Sequence, residues 1–161
     1  MDPNGDGPDP EAVVRERIVE THGPLLDAVG ACADAVADRW TGPTATGEGG
    51  AGAAGAAATA DRDAVVPEMR EVLTAAGALE QLPTLLATGA EALSTRLPAS
   101  PVAAPPYLVV AATGPVVRAT LPDAGRLVVS LRVFEVDRSG EMPRYRRLDR
   151  GVGETLTVEL R

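Results

Sequence analysis

The spacing of apolar residues changes period once along this chain, and that change limits the fold more than any other feature. Up to residue 97 apolar side chains recur every three or four positions, as on helices with one buried face. From residue 107 they recur every second position, as on strands. The change falls at residues 98–106, which hold four prolines. Helices followed by strands, rather than the two in alternation, point to an α+β fold with N-terminal amphipathic helices packed on a C-terminal antiparallel β-meander in two layers. Each layer has one apolar face and needs the other as its cover. At 161 residues the chain suits one composite domain, since a domain of this size buries about two thirds of its unfolded surface.

Residues 1–8, mostly Pro, Gly, Asp and Asn, read as a disordered tail. Asp9 before Pro10, with Glu11 behind it, reads as an N-cap, a first-turn proline and a first-turn acid. The series Val14, Ile18, Leu25, Val29, Cys32, Val36 and Trp40 then holds one helical phase. Gly23-Pro24 interrupts it, because Pro24 lacks an N–H and its ring clashes with the carbonyl of Glu20, so residues 9–40 read as one kinked helix. Asp27, Asp34 and Asp38 fall on the opposite, solvated side.

Residues 41–60, nearly all Gly, Ala and Thr, read as a flexible linker. Helical segments are expected over 61–97: one capped by Asp61 or Asp63 and closing at Gly77, with Pro67 in its first turn, and one from about Ala78 to Leu97 that Pro83 breaks early. Residues 98–161 read as the antiparallel sheet. Its strands are expected at Tyr107 to Thr113, Val116 to Leu121, Arg126 to Arg138, Arg144 to Leu148 and Glu154 to Leu160, with turns at Gly114-Pro115, Pro122 to Gly125 and Ser139-Gly140.

Charge bears on the setting and on the chemistry. The chain contains no lysine, so all 15 basic residues are arginines, against 23 Asp and Glu, for a net charge of −8. A GC-rich genome accounts for the missing lysine but not for the excess acid. In molar salt the screening length falls to about 3 Å, so an acidic surface costs little repulsion and keeps a protein soluble. The expected setting is a salt-rich cytoplasm. The segment Met1 to Gly7 has neither the basic nor the apolar region of a secretory signal, and no apolar run approaches the roughly 20 residues needed to span a bilayer.

The charge is unevenly placed: 16 carboxylates face 6 arginines through residue 97, and 7 face 9 beyond it. The densest basic patch is Arg144, Arg146, Arg147 and Arg150 around Tyr145, candidates for gripping an anion through paired guanidinium hydrogen bonds. The competing reading pairs these arginines with the acidic helical layer, or spreads them over an exposed sheet face. Four aromatic residues in the chain are too few for a base-stacking platform.

His22, the only histidine, sits at the helix break, as a general base beside Glu20 or Asp27 or, more simply, as a packing residue at the kink. The lone Cys32 lies on the apolar face and reads as a buried, inert thiol, and a single cysteine allows no disulfide framework or paired-cysteine zinc site. Without lysine there is no Walker A loop and no Schiff base, and no serine stands in a G-x-S-x-G elbow. No cofactor or metal is implied.

Pro105-Pro106-Tyr107-Leu108-Val109-Val110, Gly114 to Leu121 and the Arg126 to Val136 strand, with His22-Gly23-Pro24 and Asp61 to Val66, resemble small uncharacterised proteins of haloarchaea. That resemblance implies no activity, cofactor or site residue. The leading expectation is a non-enzymatic protein-interaction or structural module, a homo-oligomer or the companion of another protein. The alternative is an anion or nucleic-acid binding regulator using the C-terminal arginine cluster, and a dispersed carboxylate enzyme stands third.

Overall fold

The computed structural model of the chain describes residues 9–45, 58–59, 61–122, 124–138, 140–141, 143–148 and 150–161, with side chains throughout except over 41–45. The tail expected at 1–8 and most of the linker expected at 41–60 lie outside these residues. The fold is α+β in two layers, an N-terminal helical region packed against C-terminal antiparallel sheet.

Helix α1 (Pro10–Thr21) begins where Asp9 and Pro10 predict, with Asp9 extended at the N-cap. The Asp9 side chain makes no capping bond; the helix starts on proline geometry and on the Val13 N–H bonding the Asp9 carbonyl at 3.0 Å. The break falls at His22, one residue before Gly23, and α2 (Gly23–Ala45) follows. His22 N–H bonds Ile18 O at 2.8 Å and its own carbonyl accepts from Leu26 at 2.9 Å, so helical bonding resumes at once on both sides of the kink. Along α2, Leu25, Leu26, Val29, Cys32 and Val36 are buried while Asp27, Asp34 and Asp38 are exposed, as their phase requires. The helix runs to Ala45, five residues past the expected end at 40.

A short 3-10 turn at Arg62–Ala64, capped by Asp61 Oδ1 accepting the Asp63 N–H at 2.9 Å, leads into α3 (Val66–Ala75). Gly77 ends α3 in a Schellman arrangement, with Ala78 N–H on Leu73 O at 3.0 Å and Gly77 N–H on Thr74 O at 3.1 Å. Pro83 separates a 3-10 turn at Leu79–Gln81 from α4 (Thr84–Ala92), the early break expected there, and caps the start of α4 because the N-cap position needs no N–H. Helix α4 ends at Ala92, short of the expected Leu97. At Gly89 helix α4 lies so close to the sheet that a Cβ would stand 2.6 Å from Leu127 Cδ2 and 3.3 Å from Val14 Cγ1.

The strands form two sheets. Strands β2 (Leu108–Ala111), β3 (Gly114–Leu121), β4 (Gly125–Ser130) and β7 (Thr157–Leu160) make a four-stranded sheet in the order β2-β3-β4-β7. Strands β1 (Ala58–Thr59), β6 (Arg144–Arg147) and β5 (Phe134–Asp137) make a three-stranded sheet in the order β1-β6-β5. The strand expected over 126–138 is therefore two strands, which bend at Leu131 to Val133 from one sheet into the other. At the bend Thr113 O accepts both the Val133 N–H (2.8 Å) and the Phe134 N–H (3.1 Å), and Leu131 N–H bonds Pro115 O at 2.9 Å. All three side chains from 131, 133 and 134 are nonetheless buried except for the exposed Arg132 between them. Ala58 and Thr59, within the segment expected as linker, pair with Arg146 and Tyr145. The expected strand from Glu154 starts instead as a one-turn helix, α5 (Val152–Thr155), before β7.

The core lies between the helices and the inward rows of both sheets. Leu108, Val110, Val117, Ala119, Leu121, Leu127, Val129 and Val158 face inward from the larger sheet. Phe134 enters from the smaller one, its ring centroid 5.1 Å from that of Trp40.

Candidate functional site

The four arginines of the C-terminal cluster do not share a face. Strand alternation turns Tyr145 and Arg147 toward the helices and Arg144 and Arg146 outward. Arg147 reaches α2: its Nε bonds Asp34 Oδ1 at 2.9 Å, its Nη2 bonds Gly30 O at 3.3 Å, and its Nη1 bonds Leu148 O at 2.6 Å and Val133 O at 3.2 Å. Arg146 lies between Glu135 (3.1 Å) and Asp137 (3.8 Å). Asp137 also stands opposite Arg144 in the β5-β6 register. Arg144 and Arg150 are exposed. Of the four guanidinium groups, one holds helix to sheet and one is flanked by two carboxylates.

His22, at the kink, is half-buried and its Nε2 lies 2.7 Å from the Thr88 hydroxyl of α4. Burial pushes its pKa below the ordinary 6.5. The folded state thus binds a proton on this ring less readily than the unfolded state. The associated stability is complete above the unfolded value of about 6.5 and is lost as the pH falls from there through the folded pKa. In urea titrations His22→Gln, which keeps a partner for Thr88, should show a smaller loss of stability between about pH 7.5 and pH 5.5 than the parent chain. Equal losses in both would remove His22 as a source of the acid sensitivity.

Cys32 is buried, its Sγ 3.8 Å from Val72 O, and burial pushes its pKa up, which keeps the thiol protonated and unreactive. Among the described residues no group of three or more His, Cys, Asp or Glu could hold a metal ion, and no helix is long and apolar enough to cross a membrane.

Two features escaped the sequence reading. Glu11 and Arg15, four apart on α1, both engage the last segment of the chain. Glu11 Oε2 accepts the Leu160 N–H at 2.7 Å, and Arg15 donates to the carbonyls of Gly153 (2.6 Å), Glu154 (3.1 Å) and Leu156 (3.1 Å). Alone, such a pair reads as a helix-surface ion pair, and nothing local indicates a partner some 140 residues away.

The second feature is the outward face of the four-stranded sheet, which the helices leave uncovered. Its rows are Val109 and Ala111 on β2, Val116, Arg118 and Thr120 on β3, and Arg126, Val128 and Ser130 on β4. Thr157 and Glu159 of β7 continue the face. Val109 stands opposite Val116, and Val128, diagonal to Val116, stands between Arg118 and Glu159, so half-buried valines alternate with charged and polar side chains across it. At one end Leu97 to Ala99 and Pro106-Tyr107 border an open cleft of about 330 Å³ that Arg118, Thr120 and Arg126 also line. Alternation predicts the outward direction of Arg118 and Thr120, but the closing segment lies in the proline-rich stretch, which has no period to read.

Residues 12–161 match the model of the family described as a domain of unknown function, DUF7988. No curated protein and no solved structure matches the chain.

Proposed function

The chain belongs to the DUF7988 family, and we propose that it is a non-enzymatic protein-interaction module that self-associates through the outward face of its four-stranded sheet. One observation carries this reading: the buried rows of that sheet face the helices, and the opposite face presents Val109, Val116 and Val128 half-buried on three adjacent strands. Val109 and Val116, in register, and Val128, diagonal to Val116, bury apolar area on contact with a like surface, and Arg118, Thr120, Ser130, Thr157 and Glu159 around them supply a polar rim.

The setting we propose is a salt-rich cytoplasm. Two molecules each carrying a charge of −8 repel one another in dilute buffer, and molar salt screens that repulsion while leaving apolar contact intact. Light scattering should therefore show a defined oligomer that strengthens from dilute to molar potassium chloride. Val116→Glu with Val128→Glu, both outward, should return it to monomer with the thermal unfolding midpoint little changed. A strict monomer at every concentration and salt would end the self-association reading, as would an oligomer indifferent to the double substitution.

A further inference from the structure

We propose that the cleft between residues 97–107 and the outer surface of β3 and β4 binds a small organic oxyanion, a phosphate or carboxylate carried on a compact apolar body. The geometry begins with the strand register. Thr120 stands opposite Arg126, and Arg118 precedes Thr120 by two residues on the same face. Arg118 and Arg126 are thus diagonal neighbours, roughly 7–8 Å apart at the backbone, near enough for two flexible guanidinium forks to meet on one anionic group. Thr120, the neighbour of both on this face, also lines the cleft and offers a hydroxyl as a third donor.

Orientation is already set for one of the two. Arg118 Nε donates to Pro106 O at 3.0 Å, which fixes the plane of the group and leaves its terminal nitrogens for a ligand. Neither arginine is tied up in an ion pair: the carboxylate nearest in register, Glu159 opposite Val128, bonds Arg161 instead. Arg39, Arg146, Arg147 and Arg161 each meet a carboxylate, yet among the described residues no carboxylate pairs with Arg118 or Arg126. In a chain with 23 carboxylates that placement concentrates positive potential where a wall already excludes part of the solvent.

The walls determine the rest of the ligand. Leu97, Pro106 and Tyr107 give the cleft an apolar side opposite the donors. Its volume of about 330 Å³ lies at the small end of the range for small-molecule sites, about 300–1,000 Å³. A free inorganic ion would leave the apolar side unused. The site shares Arg118 and Thr120 with the rim of the self-association face but needs no second copy of the chain, since all three donors belong to one chain. The titration reads the same way on the Val116→Glu, Val128→Glu chain.

Calorimetric titration of the full chain with inorganic phosphate, phenyl phosphate and benzoate tests the assignment. Phenyl phosphate or benzoate should saturate at one ligand per chain and bind more tightly than inorganic phosphate; whichever of the two is tighter identifies the anionic group. Arg126→Gln should weaken that binding about tenfold or more, the usual loss for a charged hydrogen-bonding partner. The Arg126 side chain holds nothing else among the described residues, so the melting temperature should not move. The double change Arg144→Gln with Arg150→Gln, exposed arginines outside the cleft, should leave binding unchanged. The proposal is overturned if none of the three probes saturates, if binding survives Arg118→Gln with Arg126→Gln, or if the Arg144 and Arg150 control weakens it equally.

Discussion

Gly114→Ala is expected to cost about 2–6 kcal/mol of stability, the combined range for a strained backbone and an overfilled site. Gly114 holds φ +139°, a region that residues with a Cβ rarely adopt, and an added Cβ would collide with the backbone carbonyl oxygen of Leu131 and press on Val133 Cγ2 at 3.2 Å. The collision is with main chain rather than a movable side chain, and it falls where the chain bends from one sheet into the other. Relief would require shifting Leu131 to Val133, and with them the hydrogen bonds to Thr113 and Pro115 that hold the bend. Gly151→Ala is the control, because an added Cβ there meets nothing within 4 Å. Urea unfolding of the two variants should separate them clearly, and a Gly114→Ala protein as stable as the parent would disprove the account of the bend.

Arg147→Met should be the second costly change, at about 2–4 kcal/mol. The Arg147 side chain is 16% exposed and bonds three carbonyls and one carboxylate on two layers. Its ion-pair partner Asp34 is 65% exposed, so water screens the charge attraction and the pair by itself contributes no more than about 1 kcal/mol. The backbone carbonyls carry the greater share. Asp34→Asn should then be mild, and Arg147→Lys should recover only part of the loss, because one ammonium cannot span donors that a planar fork reaches together. Equal damage from Asp34→Asn and Arg147→Met would assign the effect to the ion pair instead.

These two sites mark what could be read in advance. The change of period at residues 98–106 predicts helices on sheet, and the register of β3 with β4 follows from alternation at Val117, Ala119, Leu127 and Val129. The division into two sheets does not follow, since Leu131 and Val133 keep the same alternation as the strand before them. The turn is held by the carbonyls of Thr113 and Pro115, which are distant in sequence. Composition drew attention to Arg144, Arg146, Arg147 and Arg150 because they are adjacent in sequence, whereas strand pleating sends neighbours to opposite faces. Arg118 and Arg126 come together through a hairpin and lie beside an aperiodic loop, so they form no cluster in the sequence. Pro83 carries a related lesson: a proline marks a helix start as readily as a helix stop.

The grip of α1 on the last strand also bears on how the chain acquires its structure. Glu11 and Arg15 are among the first described residues, and their partners Gly153 to Leu160 are among the last. Contacts of such sequence separation slow folding, since the intervening chain must be closed into a loop before they contribute. During synthesis α1 would therefore wait, its polar clasp empty, until β7 leaves the ribosome and seats against β4. Completion of the fold is thus tied to the arrival of one short strand.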